Sequence, residues 1–294
     1  MTMKKDYAAM ALLLALAGCG GGAQKADSPT DTTLSQDMDT AGEAVGMDRL
    51  AVAEQQYRAA GERALARDDV TAIGDSGYNL ATVQLDANKP QDALATITAT
   101  RAALAVRGQS GDDSGLDLVQ AGALHRLGRE AEAATAAARA AGAQDSDIAE
   151  KGQFIRGLIA DDSGDQATLA SVAAYFATLT GRVPPSWSAD AKEIAARNLL
   201  ATNGDARTAW QDALQAVTIR RHQVAYRDMA RALGVAARAA DRAGDGQAAL
   251  QLYARASQSA RQAGDTAAAD RWAKLAGAPA ADPFAQPAPP AHTK

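Results

Sequence analysis

Apolar positions recur every three to four residues along most of the chain, and no convincing two-residue alternation interrupts them between Met47 and Ala276. That spacing puts apolar side chains on one face of a helix, whereas a half-buried strand would alternate. The pattern predicts helices over residues 48–67, 70–87, 90–107, 115–127, 129–141, 146–162, 165–180, 188–202, 205–221, 224–243, 245–262 and 265–276. The breaks between them are short and chemically alike. Gly164-Asp165, Gly204-Asp205, Gly244-Asp245 and Gly264-Asp265 each separate two helical stretches. A Gly just past a helix end takes the left-handed conformation without a Cβ penalty. The Asp after it can cap the next helix by accepting a backbone N–H. Gly128-Arg129 is a variant, and Asn88-Lys89-Pro90 uses Asn as the left-handed residue and Pro to open the next helix. Two longer loops stand apart: Gly108 to Gly115, and Gly181 to Ser188 with its Pro184-Pro185 pair, which stops one helix before the next begins.

The joints are periodic. Asn88, Gly128, Gly164, Gly204 and Gly244 follow one another at intervals of 40, 36, 40 and 40 residues. Periods of 20–50 residues mark stacked supersecondary units. Five residues after each joint stands Ala93, Ala133, Leu169, Ala209 or Ala249, mostly small residues that let paired helices approach closely. Composition adds to this picture. The chain holds 76 Ala among 294 residues and only 12 aromatics, too few large and β-branched side chains for a β-sandwich or barrel. Ala is the strongest helix former, so the excess fits many closely packed helices.

Two stretches carry a family likeness. One is Tyr78-Asn79-Leu80-Ala81 with Asn88, Ala93-Leu94 and Ile97. The other is Gly244-Asp245-Gly246-Gln247-Ala248-Ala249-Leu250-Gln251-Leu252-Tyr253-Ala254-Arg255-Ala256. Both resemble the tetratricopeptide repeat. The resemblance implies an all-α fold, a right-handed superhelical solenoid of antiparallel helix pairs over residues 48–277. Its 40-residue spacing departs from the family's 34, which leaves a HEAT-like array or a globular helical bundle as alternatives.

The amino terminus carries a separate signal. Lys4 and Lys5 precede the apolar run Ala8 to Ala17, which is too short to span a bilayer and has the form of a secretory leader. The run ends in Leu16-Ala17-Gly18-Cys19, which resembles the lipobox of bacterial lipoproteins at all four positions. The resemblance implies a diacylglycerol on the Cys19 thiol, cleavage before Cys19, and acylation of the new amino group. Cys19 is the only cysteine, so no intramolecular disulfide is possible. Residues 1–18 are then a signal peptide. Two or more acyl chains hold a protein stably at a membrane, and Gly20, where enteric lipoproteins retained in the inner membrane carry Asp, resembles sorting to the periplasmic face of the outer membrane. Residues 19–47 read as a flexible tether rich in Gly, Ser, Thr and Asp. Residues 278–294, with Pro279, Pro283, Pro287, Pro289 and Pro290, read as an extended disordered tail.

Little in the sequence points to catalysis. The net charge of −5 does not favour nucleic acid. His125, His222 and His292 lie far apart, so neither a metal nor a small-molecule cofactor is expected, only the lipid on Cys19. Asp112, Asp113 and Asp117 lack the alternating pattern and terminal Glu of a calcium hand. Asp161-Asp162 reads as a surface pair at a helix end. No nucleophile elbow, zinc-protease helix or phosphate-binding loop is present, and no catalytic residue is assigned. Trp210, Tyr253, Trp272 and Tyr175-Phe176 read as core fillers.

One charged pattern remains. Arg227, Arg231, Arg238 and Arg242, at spacings of 4, 7 and 4, share one helix face, and Asp228 and Asp241 flank them. In the resembled family the first helix of each pair lines a concave groove that holds a peptide or a partner helix. Alignment on Gly244 puts Arg231, Arg238 and Arg242 on that groove together with Tyr78, Thr82, Leu118, Phe154, Leu158 and Asn198. The family's chaperone-binding carboxylate clamp is not reproduced, because Val235 follows Arg231 one turn on. The expectation is a non-enzymatic, lipid-anchored envelope scaffold that binds protein or peptide partners and assists assembly of an envelope complex such as a pilus or secretion system. The alternative is an accessory or regulatory glycan-binding domain for a cell-wall enzyme.

Overall fold

The computed structural model describes residues 31–109, 113–179, 181 and 183–277. The leader, Cys19, the segment 20–30 and the tail from 278 lie outside the described residues. The chain divides into two compact units, residues 1–32 and 33–294. Everything below concerns the second.

Among the described residues there are thirteen helices and no strand: α1 (Thr32–Gly46), α2 (Leu50–Ala66), α3 (Val70–Asp86), α4 (Pro90–Ala105), α5 (Ser114–Arg126), α6 (Glu130–Ala141), α7 (Ser146–Ser163), α8 (Gln166–Ala177), α9 (Pro185–Ala201), α10 (Ala206–His222), α11 (Tyr226–Arg242), α12 (Gly246–Gln262) and α13 (Thr266–Leu275). From α2 onward each helix packs on the next, and α3, α5, α7, α9 and α11 also touch one another in sequence. The odd helices therefore form one row and the even helices the other. Together they make a solenoid of antiparallel helix pairs.

The turns explain the period. Asn88, Gly128, Gly164, Gly244 and Gly264 all have positive φ, between 61° and 85°. Asp165, Asp205, Asp245 and Asp265 each accept a backbone N–H from the first turn of the following helix, at 2.8–3.1 Å. Asp69, Asp113 and Asp145 cap α3, α5 and α7 in the same way. The joint at 203–205 differs from the expectation. There Asn203 is left-handed, with φ 54°, and Gly204 instead leaves room beside Leu199, whose Cδ2 would lie 2.8 Å from an added Cβ.

The core lies between the two rows and is built largely from alanine. Ala93, Ala133, Leu169, Ala209 and Ala249, one per joint, are all buried. Trp210, Tyr253 and Trp272 pack against the largest cluster, around α9 to α12. Tyr175 and Phe176 pack at the α7–α8–α9 cluster, ring edge to ring face. The small residues bring backbones together. At Gly152 of α7 an added Cβ would fall 2.4 Å from the backbone nitrogen of Ala141, at the end of α6.

Two boundaries move. Residues 32–46, expected within the tether, form α1, with Ala41 and Ala44 buried against Tyr57, Leu80 and Val83. The reason is spacing: Leu34, Met38 and Ala41 fall on one helix face despite the polar residues between them. α9 begins at Pro185 rather than at residue 188, because a proline in the first turn has no N–H to lose and its φ is already helical.

Candidate functional site on the odd-helix row

All nine residues expected in the groove fall on the odd row: Tyr78 and Thr82 on α3, Leu118 on α5, Phe154 and Leu158 on α7, Asn198 on α9, and Arg231, Arg238 and Arg242 on α11. Tyr78, Thr82, Leu118, Asn198 and Arg231 are half-buried, Arg238 and Arg242 are exposed, and Phe154 and Leu158 are buried. The Thr82 hydroxyl donates to the Tyr78 carbonyl at 2.9 Å, one turn back.

The arginine stripe is matched by carboxylates and one amide of its own protein. The Arg231 Nε donates to Glu193 of α9 at 2.8 Å, and its Nη1 donates to Asp228 at 2.7 Å. The Arg238 Nη1 donates to Asp161 of α7 at 2.8 Å. The Arg242 Nη1 donates to the Asn203 side-chain oxygen at 2.5 Å. Arg197 of α9 joins the same carboxylates, reaching Asp161 at 2.6 Å and Glu193 at 2.9 Å. Deeper in, Asp190 accepts from both Lys151 and Arg220. Across α7, α9, α10 and α11 this sets five cations (Lys151, Arg197, Arg220, Arg231, Arg238) among five acids (Glu150, Asp161, Asp190, Glu193, Asp228). Three of the acids, Glu150, Asp190 and Glu193, are fully enclosed. Buried charges persist only when paired and hydrogen-bonded; Asp190 and Glu193 have such partners, and Glu150 does not.

Phe154 sits at its centre. The guanidinium of Arg231 lies 4.9 Å from the ring centroid, the Lys151 amine 5.6 Å and the Arg220 guanidinium 5.9 Å. The ring's negative face attracts all three. Burial pushes the Asp228 carboxyl up, but Arg231 and Arg220 outweigh it and bring it down to about 2. Asp161 is lowered too: burial opposes, and Arg238 and Arg197 prevail. Burial lowers Lys151 and raises Glu150, whose two oxygens have no hydrogen-bond partner among the described residues. The Lys151 Nζ is 3.6 Å from Glu150.

Asp161 was expected on the surface. Its side chain is instead 4% exposed, because α9 and α11 both send an arginine to it. Glu150, Asp190, Glu193 and Arg197 went unnoticed in the sequence. The Glu193–Arg197 spacing of four was the available hint, but it looks the same on a solvated face. His125, at the end of α5, places Nδ1 2.9 Å from Glu130 and Nε2 3.7 Å from Asp162. Among the described residues no group of His, Cys, Asp and Glu could hold a metal ion, and no helix is long and apolar enough to cross a membrane.

At the amino ends of α3, α5 and α7 the row opens into a cleft of about 1190 Å³. Tyr78, Val70 and Ile148 line it together with Asp75, Asp113 and Asp147. Burial raises the Asp75 carboxyl, and the charges of Asp113 and Asp69 add to that. Four aspartates, Asp75, Asp113, Asp145 and Asp147, and one cation, Arg139, line the cleft, an excess of negative charge that the α7–α11 end does not have.

The sequence matches no family model and no curated protein. Among the solved structures that match this chain are two helical-repeat proteins. One is a tetratricopeptide repeat protein from Parabacteroides merdae, 14% identical over 83% of this chain and 92% of that one, with a TM-score of 0.46. The other is the TPR2AB domain of yeast Sti1 in its complex with pHSP90, 14% identical over 84% of this chain and 98% of that one, with a TM-score of 0.35. Both are tetratricopeptide-repeat structures.

Proposed function

We propose that this chain is a non-catalytic, lipid-anchored scaffold of a bacterial envelope that receives a segment of a partner protein on its odd-helix row. The observation that carries the binding reading is the open cleft beside Tyr78, continuous with the α3–α5–α7 face. A polar and aromatic cleft on rigid helices suits an extended or helical segment. Its unbalanced carboxylates favour a segment carrying Lys or Arg, whereas the arginines of α11 are engaged with Glu193, Asp228 and Asp161. The anchoring reading rests on the leader and on Leu16-Ala17-Gly18-Cys19. Attachment at the periplasmic face of the outer membrane, in service of an assembly such as a pilus or secretion system, belongs to the same proposal.

Two experiments test it. Cys19→Ser should move the full chain from the membrane fraction to the soluble fraction, and retention in the membrane would refute lipid anchoring. A photo-crosslinking amino acid at Tyr78 or Asp75 should give a discrete protein adduct in cells that the same group at Thr135, on the outer helix α6, does not. Identical adducts from both faces would overturn the groove as the binding surface.

A further inference from the structure

Glu150 of α7 is placed where a carboxylate has no ordinary means of staying ionised. Its side chain is fully enclosed, and neither oxygen has a hydrogen-bond partner among the described residues. Asp190 and Glu193 are equally enclosed, yet each is held by a guanidinium group. The cation next to Glu150, Lys151, donates instead to Asp190 of α9. Its Nζ stops 3.6 Å from Glu150. Loss of water favours the neutral form of a carboxyl group, and a buried charge without a hydrogen bond is among the costliest groups a fold can hold.

Charged and titratable neighbours come from several helices. Burial raises the Glu150 carboxyl; Lys151 on α7 and Arg220 on α10 oppose it, and Asp147 on α7 adds to it. Tyr175 of α8 is raised by burial and then by the charge of Glu150. From α9, Asp190 competes for Lys151. From α11, Asp228 and Arg231 act on Lys151 with opposite signs. Arg227 of α11 turns away to the α3–α4 turn, where it reaches the Asp86 carbonyl at 3.2 Å and the Asn88 side-chain oxygen at 3.4 Å. α6 brings the backbone of Ala140 and Ala141 against Gly152.

This part of α7 also walls the cleft. Asp147 and Ile148 line it. Asp147 accepts from the Trp187 indole Nε1 at 3.1 Å, which ties the start of α7 to the start of α9. Glu150 stands three residues after Asp147, so a change at Glu150 acts on the same turns.

We propose that Glu150 is a proton-operated switch at the start of α7. With its proton it is neutral and leaves Lys151 to Asp190. Without it, the carboxylate draws Lys151 away from Asp190, and the first turns of α7 loosen together with the Asp147–Trp187 contact. The proton passes to solvent, and no other bond is made or broken covalently. The bearing on a partner segment rests on the groove reading above, because α7 walls the cleft.

The test uses the full chain and no partner. A raised carboxyl adds stability that is fully present below the unfolded value of about 4.3 and is lost as pH rises through the folded value. Glu150→Gln keeps the shape and cannot ionise. Relative to it, the ratio of folded to unfolded wild-type chain in urea should fall about tenfold per pH unit within that window, the slope for one proton. Incorporated 5-fluorotryptophan reports the start of α7 by fluorine NMR, with the Trp187 resonance assigned through Trp187→Phe. That resonance should move over the same window in the wild type and stay still in Glu150→Gln. Lys151→Gln removes a cation that favours ionisation and should shift both transitions to higher pH. Parallel stability profiles for wild type and Glu150→Gln, or a Trp187 resonance that moves in both or in neither, would overturn the switch. If Glu150→Gln does not fold, Lys151→Gln decides: a Trp187 transition at higher pH supports the switch, and an unmoved one overturns it. A failed switch leaves the crosslinks at Tyr78 and Asp75 unaffected, so it is distinguishable from failure of the groove reading.

Discussion

The backbone contact at Gly152 gives the sharpest quantitative prediction. A Cβ added there would lie 2.4 Å from the Ala141 nitrogen, 2.7 Å from the Ala140 carbonyl carbon and 2.8 Å from the Ala141 Cα. None of these atoms can rotate away, so α6 and α7 have to separate by about 1 Å to reach normal contact. A gap of that size weakens the packing of Ala136, Ala137 and Ala140, all buried on α6. Overpacking of this kind costs about 3 kcal/mol where backbone has to move. Alanine returns about 1 kcal/mol as the better helix former. Gly152→Ala should therefore destabilise the protein by about 2 kcal/mol, a fall of about 4–8 °C in melting temperature for a domain of this size. Gly74, also inside a helix, is the control, because nothing lies within 4 Å of its added Cβ. Gly74→Ala should stabilise by up to about 1 kcal/mol. Circular dichroism melts of the two variants would then move in opposite directions. A Gly152→Ala protein that melts at or above the wild-type temperature would refute the close approach of α7 on α6.

The buried charge group makes two further predictions. Arg197→Ala removes one partner from the fully enclosed Glu193 and another from Asp161, and should cost roughly 3 kcal/mol in urea denaturation; a loss below about 1 kcal/mol would mean the pairs are solvated. Asp228 titrates at about 2 in the folded chain because Arg231 and Arg220 overcome its burial, below the unfolded value of about 3.9. Its contribution is present above the unfolded value and disappears as pH falls from about 4 toward about 2. The melting temperature should drop across that window, and Asp228→Asn should flatten part of the drop; superimposable pH profiles would show that Arg231 does not hold the carboxylate ionised.

The array was legible where the chain punctuates itself. Asn88-Lys89-Pro90 and the Gly-Asp joints are local chemistry, and a left-handed residue followed by a cap shows the turn without knowledge of the rest. The helix α1 was missed because its buried face is made of Leu34, Met38, Ala41 and Ala44 among polar residues, so composition outweighed spacing. The charge group was hidden for a different reason. Arg231 and Glu193 are 38 residues apart, and Arg238 and Asp161 are 77 apart. Pairing over such distances depends on how three odd helices align, which no single-helix pattern encodes. The stripe on α11 was visible as a stripe, yet the sequence could not show that its partners came from α7 and α9. Gly152 and Gly157, glycines inside a helical pattern, were an available signal that another element approaches closely.

The contact between Arg227 and the α3–α4 turn also bears on how the chain can change over time. In an open stack each helix pair meets only its neighbours, so pairs can be duplicated or lost while the remainder stays stable. Here the Arg227 Nη1, in the first turn of α11, donates to the Asn88 side-chain oxygen at 3.4 Å across 139 residues. Losing or gaining one pair between them would carry Arg227 past its acceptors by a whole helix-pair step. The number of repeats between α3 and α11 is thus counted by a tertiary contact. A change of length before Asp86 or after Asp265 would leave that contact in register, whereas one between them would break it.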